Sequence, residues 1–333
     1  MSPTRILVTG GAGFIGSHYV RTLLGSPGAD DLRITVLDSL TYAASRDNLD
    51  EVRHLDGFRF VAGDICDEEL VDDLVARHDQ VVHFAAESHV DRSIHRSAEF
   101  IRTNVLGTQV LLDAALRHGS QTFVHVSTDE VYGSITTGSS SETHPLSPNS
   151  PYASSKAASD LVALSYHRTH GLDVRVTRCS NNYGPRQFPE KLIPLFVTHL
   201  LDDRKVPLYG DGLHIRDWLH LDDHVQGIEL VRTGGRPGEV YNIGGGTELS
   251  NRELTELLLD ACGAPSTMIE YVTDRKGHDR RYSVDWTKIH NELGYTPRKD
   301  FTDGLAETVA WYRDNRGWWE PLKARAQRLA ATC

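Results

Sequence analysis

A glycine-rich turn separates an apolar strand-like run from an amphipathic helix-like run at the start of the chain: Thr9-Gly10-Gly11-Ala12-Gly13-Phe14-Ile15-Gly16. No other feature narrows the possible folds so far. Residues 5–9 are β-branched and apolar, and residues 14–24 repeat apolar positions with helical spacing. Gly10, Gly13 and Gly16 stand where a backbone must turn tightly, approach a pyrophosphate and pack helix on strand. The helix N-terminus then offers free N–H groups and positive dipole to the phosphates. Asp38 ends the next strand-like run, 22 residues beyond Gly16. A carboxylate there binds adenosine ribose hydroxyls and repels a 2′-phosphate. The pattern predicts a dinucleotide site that prefers NAD to NADP. The competing reading is a plain turn with Asp38 as a helix cap.

Further strand-like runs at residues 33–37, 58–61, 80–84, 121–126 and 173–177 alternate with helix-like stretches at 68–75, 100–116 and 153–166. The runs are nearly continuous in apolar residues, as strands covered on both faces should be. Such alternation builds a parallel sheet with helices on both sides. The expected class is α/β: a Rossmann-type doubly wound parallel sheet with a smaller C-terminal α/β substrate-binding region. Residues 1–180 are expected to be the NAD-binding part. Residues 181–333 are expected to bind mainly substrate, with some strands returning to the first sheet. Helices are expected near 192–201, 251–261 and 305–315, and a strand near 239–243. The Ser/Thr/Gly-rich segment 135–141 reads as an exposed loop, and the tail after Pro321 as a helix end or a frayed segment.

Composition limits the partners. Asp and Glu number 46 against 35 Lys and Arg, a net charge of −11. That disfavours nucleic acid and anionic membrane surfaces but leaves room for a local basic pocket. Cys66, Cys179, Cys262 and Cys333 show neither CxxC nor dense spacing, which disfavours a disulfide framework or a zinc site and fits a reducing compartment. No apolar run approaches the ~18 residues of a membrane span, and no signal-peptide pattern follows the start. The expectation is a cytoplasmic protein. Among 17 histidines, His220 and His224 lie four apart, but DWLHLDDH reads better as strand end plus helix cap, so no metal is expected. Asp222 and Asp223 read as an N-cap pair. Trp311, Trp318 and Trp319 read as packing of the last helix.

Tyr152-Ala153-Ser154-Ser155-Lys156 places Tyr and Lys at i and i+4, on one helix face. A lysine ammonium beside a phenol favours the phenolate and makes it a better base at working pH. With the N-terminal glycines, and with Ser127-Thr128 after the strand at 121–126, this resembles the extended short-chain dehydrogenases/reductases. The resemblance implies Tyr152 as base, Lys156 on the nicotinamide ribose and Thr128 completing the site. Asp129 and Glu130 follow Thr128 directly. Neighbouring side chains leaving a strand point to different sides, so the pair can reach two atoms of one substrate. Elimination of water needs that division: a protonated acid for the leaving hydroxyl and an ionised base for a C–H proton. The competing reading is a pair of solvated loop acids.

TDEVY at 128–132, AAESHVDRS at 85–93, NNYGPRQFPEKLIP at 181–194 and DRKGHD at 274–279 resemble the nucleoside-diphosphate-glucose 4,6-dehydratase family, and the likeness runs from Ile6 to about Leu322. It implies a dTDP-glucose substrate and a homodimer through the helices at 100–116 and 153–166. It implies cofactor contacts from Phe14, Ile15, Asp38, Ser39, Leu40, Thr41, Asp64, Ile65, Ala85, Ala86, Glu87, Ser88, His89, Thr103, Tyr152, Lys156 and Asn182. Substrate contacts are implied for Ser88, Thr128, Asn181, Lys191, Leu192, Pro207, Leu208, Tyr209, Arg216, Asn251, Asp274, Arg275, Lys276, Gly277 and His278. Lys191, Arg216 and Arg275 suit a diphosphate chemically. Arg186 departs from the family's pattern, which has an aromatic residue there. A nucleotide-sugar epimerase or decarboxylase would share the glycines and Tyr152/Lys156 without needing Asp129-Glu130. A non-catalytic nucleotide-binding protein on this fold could keep the glycines but would have no reason to keep Thr128, Tyr152 and Lys156 together.

Overall fold

The β-branched runs become strands β1 (Thr4–Thr9), β2 (Leu32–Asp38), β3 (Phe58–Ala62), β4 (Gln80–His83), β5 (Thr122–Thr128) and β6 (Val174–Cys179) in the computed structural model, which describes residues 2–330. β5 and β6 are buried along their whole length, which is why their sequences do not alternate. The later strands are β7 (Asn181–Tyr183), β8 (Val206–Tyr209), β9 (Ile215–His220), β10 (Val240–Ile243), β11 (Thr247–Ser250) and β12 (Ile269–Val272). Seven strands form one parallel sheet in the order β3-β2-β1-β4-β5-β6-β10. The order reverses between β1 and β4, and a crevice for ligands opens beyond the carboxyl ends of strands at such a point. The expected strand near 239–243 is β10, which joins the main sheet although it lies beyond residue 180.

The helices are α1 (Phe14–Leu24), α2 (Glu68–Val75), α3 (Val90–His95), α4 (Ser97–Phe100), α5 (Gly107–His118), α6 (Pro151–His170), α7 (Leu192–Leu200), α8 (Leu221–Gly234), α9 (Asn251–Cys262), α10 (Thr287–Leu293), α11 (Phe301–Asp314) and α12 (Arg316–Ala330). α6, which carries Tyr152 and Lys156, starts firmly. The Ser150 hydroxyl accepts from the Ala153 N–H, and Pro151 holds the first helical position. The continuous helix expected over 100–116 is instead α4, a π-helical turn at Ile101–Leu106 and α5. The wider turn points Asn104 inward. Its side chain accepts from Glu87 N at 2.8 Å and donates to Ser155 Oγ at 2.8 Å, tying the β4 exit loop to α6.

Beyond β6 a separate apolar core gathers Tyr183, Phe196, Trp218, Leu254, Tyr312 and Trp319. Around it lie a three-stranded sheet, β11-β9-β7, and a two-stranded sheet, β12-β8. Trp319 is fully buried there, with Trp311 and Trp318 packed alongside, so the tryptophans pack the last helices as expected. The tail does not end at Pro321: α12 runs through it to Ala330. The proline removes one internal bond, but the Lys323 ammonium donates to Thr198 O at 2.8 Å and to Asp202 at 2.7 Å and holds the helix down. α8 is capped by His220, not by the Asp pair. Asp222 binds His18 at 2.7 Å, and Asp223 accepts from the backbone of Arg298 and Lys299. Cys333 lies outside the described residues.

Candidate active site

The turn after β1 is built for close approach. Gly10 has φ +70°, and a Cβ there would stand 2.5 Å from Ala85 N. A Cβ on Gly16 would stand 2.4 Å from Gly10 O, so this glycine lets α1 rest on its own turn. α1 has no side-chain cap and no acidic residue in its first turn. Its N–H groups therefore remain free for a phosphate. Asp38 accepts from Ala12 N at 2.9 Å and Leu40 N at 2.8 Å. Burial pushes its carboxyl up, and these two N–H donors pull it back toward the ionised form. A cavity of about 580 Å³ runs from this turn, past the ends of β4 and β5, to α6 and the loop after β7. The glycine cradle, the open helix end and the ribose-directed carboxylate fit a dinucleotide.

Every expected cofactor residue lines this cavity except Leu40 and His89. Leu40 turns through a left-handed conformation and packs on the core. The His89 ring caps α3, where its Nδ1 accepts from Arg92 N. Thr128, Asp129, Glu130, Tyr152 and Lys156 all face the cavity. Asp129 and Glu130 do not leave a strand. They open a 3₁₀ turn at Asp129–Tyr132, with Thr128 Oγ1 accepting from Glu130 N at 3.2 Å. Three residues per turn still send the neighbouring carboxyls apart.

The two acids meet different fields. Burial drives Asp129 well above the ordinary carboxylate range, and the negative charges of Glu130 and Asp217 add to it. Glu130 is also raised by burial, but Arg275, Arg216 and Lys191 pull it back. Both carboxyls are raised by burial, and the stronger positive surroundings hold Glu130 closer to its ionised form than Asp129. Tyr152 differs from the expectation. Burial and the Glu130 charge push its phenol up, while the Thr128 hydroxyl pulls it down. The Lys156 ammonium donates to Val126 O at 2.8 Å, and burial lowers it to about 8.

The expected substrate residues fall into two groups. Ser88, Thr128, Asn181, Lys191 and Leu192 line the cavity, and Lys191 Nζ donates to Ser88 O at 2.8 Å. Pro207, Leu208, Tyr209, Arg216, Asn251, Asp274, Arg275, Lys276, Gly277 and His278 lie outside the lining, on β8, β9, the start of α9 and the loop after β12. The charges of Arg216 and Arg275 nevertheless reach Glu130. Leu208 is only 1% exposed, so its side chain packs in the core and only its backbone could meet a ligand. His214, Asp274 and His278 are close enough to suggest a metal site. The two rings, however, are stacked 3.7 Å apart at 13°. Near-parallel planes cannot aim two in-plane lone pairs at one ion.

Other residues at the cavity escaped sequence reasoning. Glu190 lines it, and its Oε1 is buried without a hydrogen-bond partner, as are Asp129 Oδ2 and Asn181 Oδ1. Arg92 lies 3.5 Å from Glu190 and 3.5 Å above the Tyr42 ring. Tyr282 reaches Glu130 at 3.5 Å while donating to Asp279 at 2.5 Å. Glu190 belonged to a quoted motif, but nothing in the string of letters said which way its side chain points.

Known proteins share this arrangement over nearly the whole chain. A dTDP-glucose 4,6-dehydratase of Streptomyces antibioticus is 66% identical over 329 residues, covering 98% of this chain and 97% of that protein. One from an Actinoplanes strain is 65% identical over 318 residues, covering 95% and 99%. The solved dTDP-glucose 4,6-dehydratase of Streptomyces venezuelae, with NAD bound, superposes with a TM-score of 0.94 at 62% identity, covering 96% of this chain and 100% of that one. The sequence profile of the GDP-mannose 4,6 dehydratase family matches residues 7–308, and with those relatives it shows that the chain belongs to that family.

Proposed function

We propose that the chain is an NAD-dependent dTDP-glucose 4,6-dehydratase, a hydro-lyase that converts dTDP-D-glucose to dTDP-4-dehydro-6-deoxy-D-glucose and water for deoxysugar biosynthesis. The observation that carries the reading is the Asp129–Glu130 pair, set in unlike surroundings in the cavity that also holds Tyr152 and Lys156. An epimerase has no use for that pair.

The glycine turn and Asp38 would hold NAD, which would supply an acceptor for hydride from C4, its donor to C6 and a positive charge in the cleft. Tyr152 takes the proton of the 4-hydroxyl, with Thr128 stabilising the phenolate oxygen. The ketone formed at C4 acidifies the C5 hydrogen, which Glu130 removes. Asp129 gives its proton to the 6-hydroxyl, which departs as water. Glu130 then returns a proton to C5. Lys191, Arg216 and Arg275 supply positive charge for the diphosphate and pull the Glu130 carboxyl back toward its ionised form. The deciding experiment offers dTDP-glucose, UDP-glucose and GDP-mannose side by side and identifies products by NMR. Deuterium placed on C4 of dTDP-glucose should appear on C6, and solvent deuterium on C5. A C4 epimer as product, or loss of the C4 label to solvent, overturns the assignment.

We further read the protein as a cytoplasmic homodimer. Ile94, Ile101, Leu106 and Leu161 are large exposed apolar side chains on α3, the π-turn and α6, elements that pack together. A two-fold pairing of these helices would cover them. Among the described residues no helix is long and apolar enough to cross a membrane. Cys66, Cys179 and Cys262 are free thiols, which suits a reducing compartment.

A further inference from the structure

We infer that α12 is a staple that holds the cofactor in its cleft, a role that rests on the reading of the chain as an enzyme that regenerates its NAD each cycle. One face of the helix is anchored in the C-terminal region. Trp319 is fully buried, and its indole N–H donates to Tyr312 O at 2.7 Å. Lys323 donates to Thr198 O at 2.8 Å, and Arg316 pairs with Asp202. The other face reaches the NAD-binding part. Trp318 Nε1 donates to Asn48 Oδ1 at 3.1 Å, 270 residues away in sequence. Asn48 is 1% exposed, and its Nδ2 donates to Ala12 O at 2.9 Å. Ala12 lies inside the glycine turn, and its own N–H donates to Asp38 at 2.9 Å. An unbroken line of hydrogen bonds thus joins α12 to the carboxylate that faces the ribose.

Two more contacts close the same segment. Arg325 donates to Thr41 O at 3.3 Å, and Thr41 lines the cavity. Arg186, the residue that departs from the family's aromatic pattern, sits at φ +68° and pairs with Glu51 at 2.5 Å. Its guanidinium also lies 5.8 Å from the Trp311 ring. The stretch from Ser39 to Glu51 is therefore tied at Thr41, Asn48 and Glu51 to residues 186, 318 and 325. Ser39, Thr41, Ala43 and Ala44 line the cavity, so lifting this stretch opens the site for the dinucleotide to leave, and lifting breaks these bonds. Trp318 and Arg325 act through Asn48 and Thr41, so they are positioning residues.

The test compares the parent with Trp318→Phe/Arg325→Ala, in which a smaller aromatic ring replaces the indole and both donors go. NAD content after gel filtration and the rate of NAD release into an enzymatic trap are measured, together with turnover with and without added NAD. Two lost hydrogen bonds should speed release roughly 10-fold. The variant should emerge depleted of NAD, and added NAD should restore its turnover. Arg325→Ala alone, at a half-buried site, should show a smaller increase with little change in melting temperature. Release at the parent's rate in both variants overturns the staple, and so does a loss of turnover that NAD does not restore. A parent that holds NAD but does not dehydrate dTDP-glucose counts against the dehydratase reading alone, because release is measured without substrate. A parent that holds no NAD overturns both.

Discussion

Asp129 and Glu130 are neighbours in the chain with nearly the same intrinsic acidity, and their surroundings separate them. On top of burial, Glu130 and Asp217 push Asp129 up against one positive charge, Arg216, whereas Arg275, Arg216 and Lys191 pull Glu130 down against one negative charge, Asp279. Glu130→Gln keeps the shape and removes the proposed C5 base, so product formation should fall about 10²–10⁴-fold. Oxidation at C4 does not need Glu130, so reduced nicotinamide should accumulate in a single turnover, read by its absorbance. Tyr152→Phe should show little reduced nicotinamide at any time. Equal failure of both variants to reduce the cofactor would remove the division of roles. Asp217, which accepts from Ser180, Gly245 and Thr247, is raised to about 6 by burial. A folded pKa above the unfolded one means that the folded state holds this proton more tightly. Its stabilisation is present below about pH 4 and is lost as pH rises through about 6, a change of roughly 3 kcal/mol. Urea unfolding of the parent and Asp217→Asn should therefore diverge between about pH 4.5 and about pH 7, the parent losing more stability. Parallel pH profiles would contradict the raised carboxyl.

The β1–turn–α1 unit works because each glycine meets backbone where any other residue would carry a Cβ. Gly10→Ala adds strain at φ +70° and a 2.5 Å contact with Ala85 N. The expected cost is about 2–4 kcal/mol, the sum of left-handed strain and overpacking. It should appear as a lower melting temperature together with weaker NAD binding by calorimetry. A variant with the parent's melting temperature would show that the turn tolerates a side chain. The π-turn at Ile101–Leu106 makes the same point for helices. Apolar spacing announced a helix there, but the wider turn is what carries Asn104 to Glu87 and Ser155.

For the molecule as a whole, the reversal of strand order between β1 and β4 creates the crevice, and the residues after β6 close it. The exposed Ile94, Ile101, Leu106 and Leu161 lie on α3, the π-turn and α6 and do not line that crevice. Ile101→Glu with Leu161→Glu adds two charges to residues that are 51% and 55% exposed. A protomer that pairs there should become monomeric by light scattering at micromolar concentration while its helical circular dichroism stays the same. A parent already monomeric under those conditions would remove the dimer.

What the sequence alone determined is local. The glycine turn, Asp38 at a strand end, and Tyr152 four residues before Lys156 could be read because spacing along one strand or helix fixes which groups share a face. The same holds for the parallel sheet, whose strands announce burial on both faces. Family likeness named Arg216 and Arg275, but that they act on Glu130 depends on how β9 and the loop after β12 fold over the cavity. Whether Leu208 faces substrate or core, whether Lys156 meets Tyr152 or Val126 O, and whether Trp318 meets Asn48 were decided by packing. Such contacts join residues up to 270 positions apart, and no local periodicity encodes them. The electrostatic split between Asp129 and Glu130 belongs to the same class: the carboxyls are written side by side, but the charges that separate them arrive only through the tertiary fold.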